Sequence, residues 1–273
     1  MMPLKNLLYL LQLEEYDLER FDKWLKNNPG RVVLEKKKHI DWTAKAKLIF
    51  ALANVLNIFI NNQLAIEVSV SVLLPIDKIL KKFLIFLANQ KISRVPNLAV
   101  IGITGSYGKT TTKDAISHIL THKFRTLKTE GNYNTLLGVA KTIIKNIGSD
   151  HEIFICEMAA YQPGDIKNIA DLIKPKIGII TAIGPMPLER FWTEENIFKT
   201  KLELIESLPP DGIGFLPKKL EQQITKYSHN SDNGSIEFFS SQEDLLIKIG
   251  KVFGIEKEEV LGRLKTAPQT PHR

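Results

Sequence analysis

Leu98-Ala-Val-Ile-Gly-Ile-Thr104 runs directly into Gly105-Ser106-Tyr107-Gly108-Lys109-Thr110-Thr111-Thr112, and no other stretch of the 273 residues narrows the fold so far. An unbroken apolar run of this length suits a strand covered on both faces of a parallel sheet. A strand, a glycine-bearing turn and a helix start, in that order, are what a phosphate cradle requires. The glycines let backbone N–H groups close on the phosphates, and the helix N-terminus adds the positive end of its dipole. In such a loop Lys109 reaches the β- and γ-phosphates and the Thr110 hydroxyl ligates Mg2+. The expected cofactors are ATP and Mg2+, with Gly105, Ser106, Tyr107, Gly108, Lys109, Thr110 and Thr111 around the nucleotide. The usual six-residue loop wants glycine at 103, where Ile103 stands, so the loop is the shorter G-x-x-G-K-T form.

The strand texture returns at Glu152–Cys156 and Lys176–Ile183. Helical patterns lie around it at Thr110–His122, Thr135–Ile147, Pro163–Ile173 and Glu194–Leu208. Alternation of this kind predicts an α/β domain over 98–273, a doubly wound and mostly parallel sheet with a P-loop. Carboxylates at the C-terminal ends of parallel strands face the ligand crevice. Glu157 is thus a candidate metal ligand, the alternative being a solvated strand-end glutamate. Cys156, the single cysteine, excludes a disulfide framework and reads as a core residue. His118 and His122 stand i, i+4 without the glutamate of a metalloprotease helix and read as surface residues.

The formal charge of +7 would suggest nucleic acid if it were spread along the chain. It is not. Residues 1–97 hold 15 Lys/Arg against 9 Asp/Glu, whereas 98–273 hold 22 against 21. No nucleic-acid partner is expected. The first 28 residues carry leucines at helical spacing and read as one amphipathic helix, stopped by Asn27-Asn28-Pro29-Gly30. Acidic residues arrive too early in it for a secretory signal. Five lysines (36–38, 45 and 47) precede nineteen uncharged residues, Leu48 to Ile66. Two readings fit this basic, apolar, helical region of 1–97. One is a buried helical hairpin in a small domain. The other is a hairpin inserted into or lying on a membrane, with residues 36–91 meeting anionic headgroups. The chain is accordingly expected in the cytoplasm, either free or at the inner face of the cell membrane.

Four ordered strings resemble the Mur ligase family. Ile103–Lys113 looks like its nucleotide loop. Thr129-Glu-Gly-Asn-Tyr-Asn-Thr135 with Gly138 looks like its T-x-G-N-x-N loop, which approaches the substrate and the ATP phosphates. The resemblance thereby adds Asn132 and Asn134 to the cofactor-binding set. Glu157-Met158-Ala159-Ala160, followed by Gly164-Asp165-Ile166, resembles the stretch whose glutamate holds Mg2+. Thr181–Phe191 with Glu195-Asn196-Ile197 and Lys199-Thr200-Lys201 resembles N-I-G-x-x-H-L-E-R-F…E-N-I-A-K-A-K. The branch most similar adds D-alanyl-D-alanine to a UDP-muramoyl tripeptide.

The resemblance implies an ATP-dependent carbon–nitrogen ligase of peptidoglycan precursor synthesis, working through an acyl phosphate. Its partners would be a UDP-muramoyl peptide and an amino acid or dipeptide. It makes Lys109 and Lys201 the catalytic pair, with Thr110, Glu157 and a carbamylated Lys201 as metal ligands. There are departures. The family's metal histidine falls on Pro187, and the adenine-holding G-x-H-N stretch has no counterpart, since His229-Asn230 sits in a polar loop. The chain between Phe215 and Ser240 is shorter than the family's peripheral strands need. Ala267–Arg273 resembles the hinge before the family's C-terminal domain, which would be separate or missing. These departures leave two alternatives open: a non-catalytic or fragmentary nucleotide-binding protein, or another ligase of the superfamily, such as a folylpolyglutamate type.

Overall fold

A computed structural model describes residues 2–14, 16–28, 40–131, 133–184, 194–227 and 234–266. Its contacts divide the chain into two compact units, Met1–Lys82 and Phe83–Arg273.

In the first unit, two helices replace the single one expected over residues 1–28: α1 (Leu4–Leu13) and α2 (Leu18–Asn27). The chain breaks where Tyr16 takes a left-handed φ of 64°. Asp17 then caps α2, its carboxylate accepting from the N–H groups of Glu19 (2.9 Å) and Arg20 (3.1 Å). Helical leucine spacing continues across this break, so periodicity alone does not reveal it. Helix α3 (Ala44–Leu56) is followed by α4 (Asn62–Ile92), which carries on into the second unit. The uncharged run from 48 to 66 is therefore interrupted at Asn57–Asn61. Asn61 begins α4 by accepting from the Leu64 N–H at 2.9 Å. Among the described residues no helix is long and apolar enough to cross a membrane. Leu7, Leu8, Leu11, Phe21, Ile49 and Ile66 instead pack into a core. Lys36–Lys38 lie outside the described residues.

The second unit is built on six parallel strands: β1 (Ala99–Thr104), β2 (Thr126–Lys128), β3 (Ile153–Glu157), β4 (Ile177–Ile180), β5 (Ile213–Pro217) and β6 (Ser235–Phe239). Their order is β2-β3-β1-β4-β5-β6, and every pairing is parallel. The α/β sheet expected from the sequence is present, and its last two strands, β5 and the edge strand β6, stand at either end of the segment from Phe215 to Ser240. The strands read as solid apolar runs because both faces are covered. Val100, Phe154 and Cys156 point into one core with α6 (Leu136–Asn146) and α7 (Asp165–Ile173). Ile101, Ile103, Ile153 and Ile155 point into the other. That second face is covered by α5 (Lys109–Leu120), α10 (Gln242–Val252) and α11 (Lys257–Lys265). Between them in sequence lie α8 (Glu194–Glu206) and α9 (Glu221–Tyr227).

A row of glycines seats α8. Gly102, Gly178 and Gly214 are register partners on β1, β4 and β5. A Cβ on Gly102 would stand 2.8 Å from Leu204 Cδ1, and one on Gly178 3.2 Å from Leu204 Cγ. Without side chains there, the sheet lets α8 come close.

Candidate functional site

The loop Gly105–Gly108 leaves β1 at its C-terminal end, where a parallel sheet opens its crevice. Gly105 has φ 149°, and a Cβ on it would lie 2.2 Å from Thr181 Oγ1. Gly108, at φ 78°, is the left-handed N-cap of α5. Both positions require glycine. The loop is strapped to the chain after β4. The Ser106 N–H donates to the Ala182 carbonyl (2.7 Å), the Ser106 hydroxyl to the Gly184 carbonyl (3.1 Å), and the Thr181 hydroxyl to the Tyr107 carbonyl. Ser106 thus spends its polar groups on positioning the loop. Lys109 bends back so that its Nζ donates to the Gly105 carbonyl at 2.8 Å. Burial lowers its pKa, opposed by the charge of Glu157.

Strand alternation sends Glu157 to the α5 face, the same side as Ile153 and Ile155. It is buried, 3% exposed, so the solvated alternative does not apply. Its Oε2 accepts from the Thr110 hydroxyl (3.0 Å) and from Lys113 Nζ (3.1 Å). Its Oε1 accepts from Asn134 Nδ2 (3.2 Å), and its N–H donates to Thr129 Oγ1 (3.0 Å). The Thr110 proton goes to the carboxylate, which leaves the hydroxyl lone pairs for a cation. Hydroxyl and carboxylate oxygens are the hard donors Mg2+ takes. No group of three or more His, Cys, Asp or Glu able to hold a metal occurs among the described residues. A cation here would complete its shell with phosphate oxygens, the usual arrangement for Mg2+ in nucleotide sites. The donors present therefore fit Mg2+ brought with a nucleotide.

Lys201, on α8, is 1% exposed rather than a solvated helix lysine. Its pKa is pushed down to about 8, by burial first and then by the charge of Lys109, against the pull of Glu203 and Asp165. Glu203 also accepts from the N–H groups of Gly164 (2.7 Å) and Lys167 (2.9 Å), tying α8 to the start of α7. Around the loop lies an open cleft of about 1120 Å3. One wall is Ser106–Thr112. The other comes from the ends of β5 and β6, with Pro217, Lys218, Lys219 and Phe239–Gln242.

The structure thus gathers Ser106, Tyr107, Gly108, Lys109, Thr110 and Thr111 along the cleft, whereas Gly105 does not line it and packs against Thr181 and Ala182. Asn134 joins Glu157, and Lys201 lies close enough to Lys109 to feel its charge. Asn132, Pro187, His229-Asn230 and Ala267–Arg273 lie outside the described residues. His118 is half-buried rather than on the surface, with Nε2 3.1 Å from the Arg263 carbonyl oxygen. Sequence reading missed Lys113, Thr129, Thr181 and the β5–β6 wall. The i, i+3 spacing of Thr110 and Lys113 was the available signal for Lys113.

A phosphate-binding loop at the end of the central strand of a parallel, doubly covered sheet makes this a P-loop nucleotide-binding α/β protein. The chain belongs to the Mur ligase family: the profile of the Mur ligase middle domain matches residues 103–261. The UDP-N-acetylmuramoyl-tripeptide–D-alanyl-D-alanine ligase of Synechocystis is 40% identical over 119 residues, 44% of this chain and 26% of that protein. The Bacillus subtilis enzyme of the same name is 39% identical over 114 residues, 42% of this chain and 25% of that protein. This chain's match thus spans about a quarter of the length of these curated relatives. Among solved structures, MurF from Acinetobacter baumannii superposes with a TM-score of 0.63 at 22% identity. It covers 70% of this chain and 50% of its own. The MurF ligase of Thermotoga maritima, solved in complex with ADP, reaches 0.52 at 32% identity over 58% of this chain and 36% of that one.

Proposed function

We propose that residues 98–273 form the ATP-binding domain of an ATP-dependent amide ligase. It would join D-alanyl-D-alanine, or a similar amine, to a UDP-muramoyl peptide. The observation that carries this reading is Thr110 and Asn134 meeting on buried Glu157 beside the glycine loop and Lys109. In the reaction a substrate carboxylate oxygen bonds to the γ-phosphorus as ADP leaves. The amine nitrogen then bonds to the acyl carbon as phosphate leaves. Lys109 and the N-terminus of α5 neutralise charge on the phosphoryl oxygens and hold them in line. Thr110 and Glu157 would hold Mg2+, which when bound neutralises and orients the phosphates. Lys201, once its amine is carbamylated, would be a further metal ligand. A pKa near 8 leaves part of that amine neutral at neutral pH, and only the neutral amine adds to carbon dioxide.

Lys109→Ala should abolish Mg-ATP binding in calorimetry, and equal affinity in wild type and variant would sink the reading. Phosphate release that needs both a UDP-muramoyl tripeptide and D-alanyl-D-alanine would establish the substrates. A non-catalytic nucleotide-binding protein is the second reading, favoured by Pro187, which has no ligand atom where the family places a histidine. Release of phosphate under those conditions would refute it.

We place the protein in the cytoplasm, with the basic helical region of residues 1–97 able to meet an anionic membrane face. Exposed Ile76 and Ile79, on the same helix as Lys78 and Lys82, support this. Cosedimentation with anionic vesicles at low salt is the expected result, and none would end the idea.

A further inference from the structure

The ion pair between Lys113 and Glu157 puts a cation of the protein's own on the carboxylate that the nucleotide site offers to a metal. Both side chains are buried, with 2% and 4% of their surfaces exposed, and Nζ stands 3.1 Å from Oε2. The same oxygen takes the Thr110 proton and the other takes Asn134, so Glu157 is fully neutralised and almost fully hydrogen-bonded before any ligand arrives. A buried carboxylate and ammonium at this distance hold each other firmly. A divalent ion entering alone would meet the fixed charge of Lys113 with no excess negative charge to receive it. Lys109, the other nearby cation, deepens that barrier, since it is close enough to interact with Glu157. A triphosphate changes the balance by bringing several negative charges to the same loop.

We propose that Lys113 is a built-in counter-charge that keeps the metal site closed to free divalent ions and makes metal binding depend on nucleotide. Metal and ATP then enter together, and the protein does not hold a resident cation between turnovers. The inference rests on the nucleotide-site reading above, but its central claim concerns the nucleotide-free protein and is tested there.

Mn2+ alone, followed by its electron paramagnetic resonance signal, is the probe. The full chain without nucleotide should bind it no tighter than about 1 mM, the weak end of divalent protein sites. Adding a non-hydrolysable ATP analogue should tighten Mn2+ binding at least tenfold. Lys113→Met, which keeps the stem and removes the charge, should bind Mn2+ at least tenfold tighter than wild type without nucleotide. Lys113→Arg should behave as wild type, and Glu157→Gln on the Lys113→Met background should erase the gain. A merely structural lysine would give weaker or unchanged metal binding on its removal. Saturable sub-millimolar Mn2+ binding by nucleotide-free wild type would overturn the proposal, whether or not Lys113→Met folds. So would a folded Lys113→Met with no gain. Failure of the wild type to bind the ATP analogue at all would instead defeat the nucleotide-site reading, while the Lys113→Met comparison would still judge the counter-charge.

Discussion

Lys201 shows how a single buried amine links stability to chemistry. Its pKa of about 8 lies below the ordinary lysine value of 10.5. Between these two values the folded chain binds fewer protons at this site than the unfolded chain does, so stability rises with pH across that window. Below about 8 the cost of burying the charge is fully present. Lys201→Met should therefore resist urea better than wild type at pH 7 in carbonate-free buffer, with the gap narrowing towards pH 10.5. Equal midpoints at pH 7 would contradict the assignment of the shift to burial. Legibility from sequence was uneven at this scale. Lys109, Thr110 and Gly108 could be placed because a phosphate loop is a local object: its residues adjoin in the chain as they do in space. Lys113 could not, because its partner Glu157 is 44 residues away and only the packing of α5 on β3 brings them together. Ser106 was legible as a loop residue, but its hydrogen bonds to the β4 loop were not.

At the scale of elements, the apolar runs identified β1, β3 and β4 because strands buried on both faces need no polar alternation. β2, with three residues, and β6, which carries Glu237, lack that texture. They are strands because the neighbouring strand offers them a ladder, a condition that no window of sequence contains. The N-terminal helix was misread for the opposite reason: the local pattern continued while the backbone turned at Tyr16 and restarted from Asp17. The seating of α8 also belongs to this scale. A side chain at 178 would enter the space filled by Leu204, Ile205 and Leu208. Gly178→Val should cost about 1–3 kcal/mol through overpacking and displace Lys201 on the same helix. Chemical denaturation reads the first effect and the pH dependence of carbon dioxide uptake by Lys201 the second. Wild-type values of both would mean that the glycine row does not set the position of α8.

Among the described residues the buried ones fall into four clusters that share no buried member, one in Met1–Lys82 and three in Phe83–Arg273. Every residue lining the nucleotide cleft belongs to the second unit. Phe21→Ala, at a fully buried position, should lower the stability of the first unit by about 3–5 kcal/mol and leave Mg-ATP affinity unchanged. Urea unfolding together with nucleotide titration checks this, and a matching fall in affinity would show that the site depends on the first core. The sequence by itself determined the class of the protein. An apolar run, a glycine turn and Lys109-Thr110 are short-range features, and their chemistry follows from adjacency. The tertiary structure alone decided how Glu157 is neutralised, how closely α8 brings Lys201, and which strand ends wall the cleft. Those depend on strand register and helix packing between distant segments, and the energy that fixes them is released only when the whole sheet is covered on both faces.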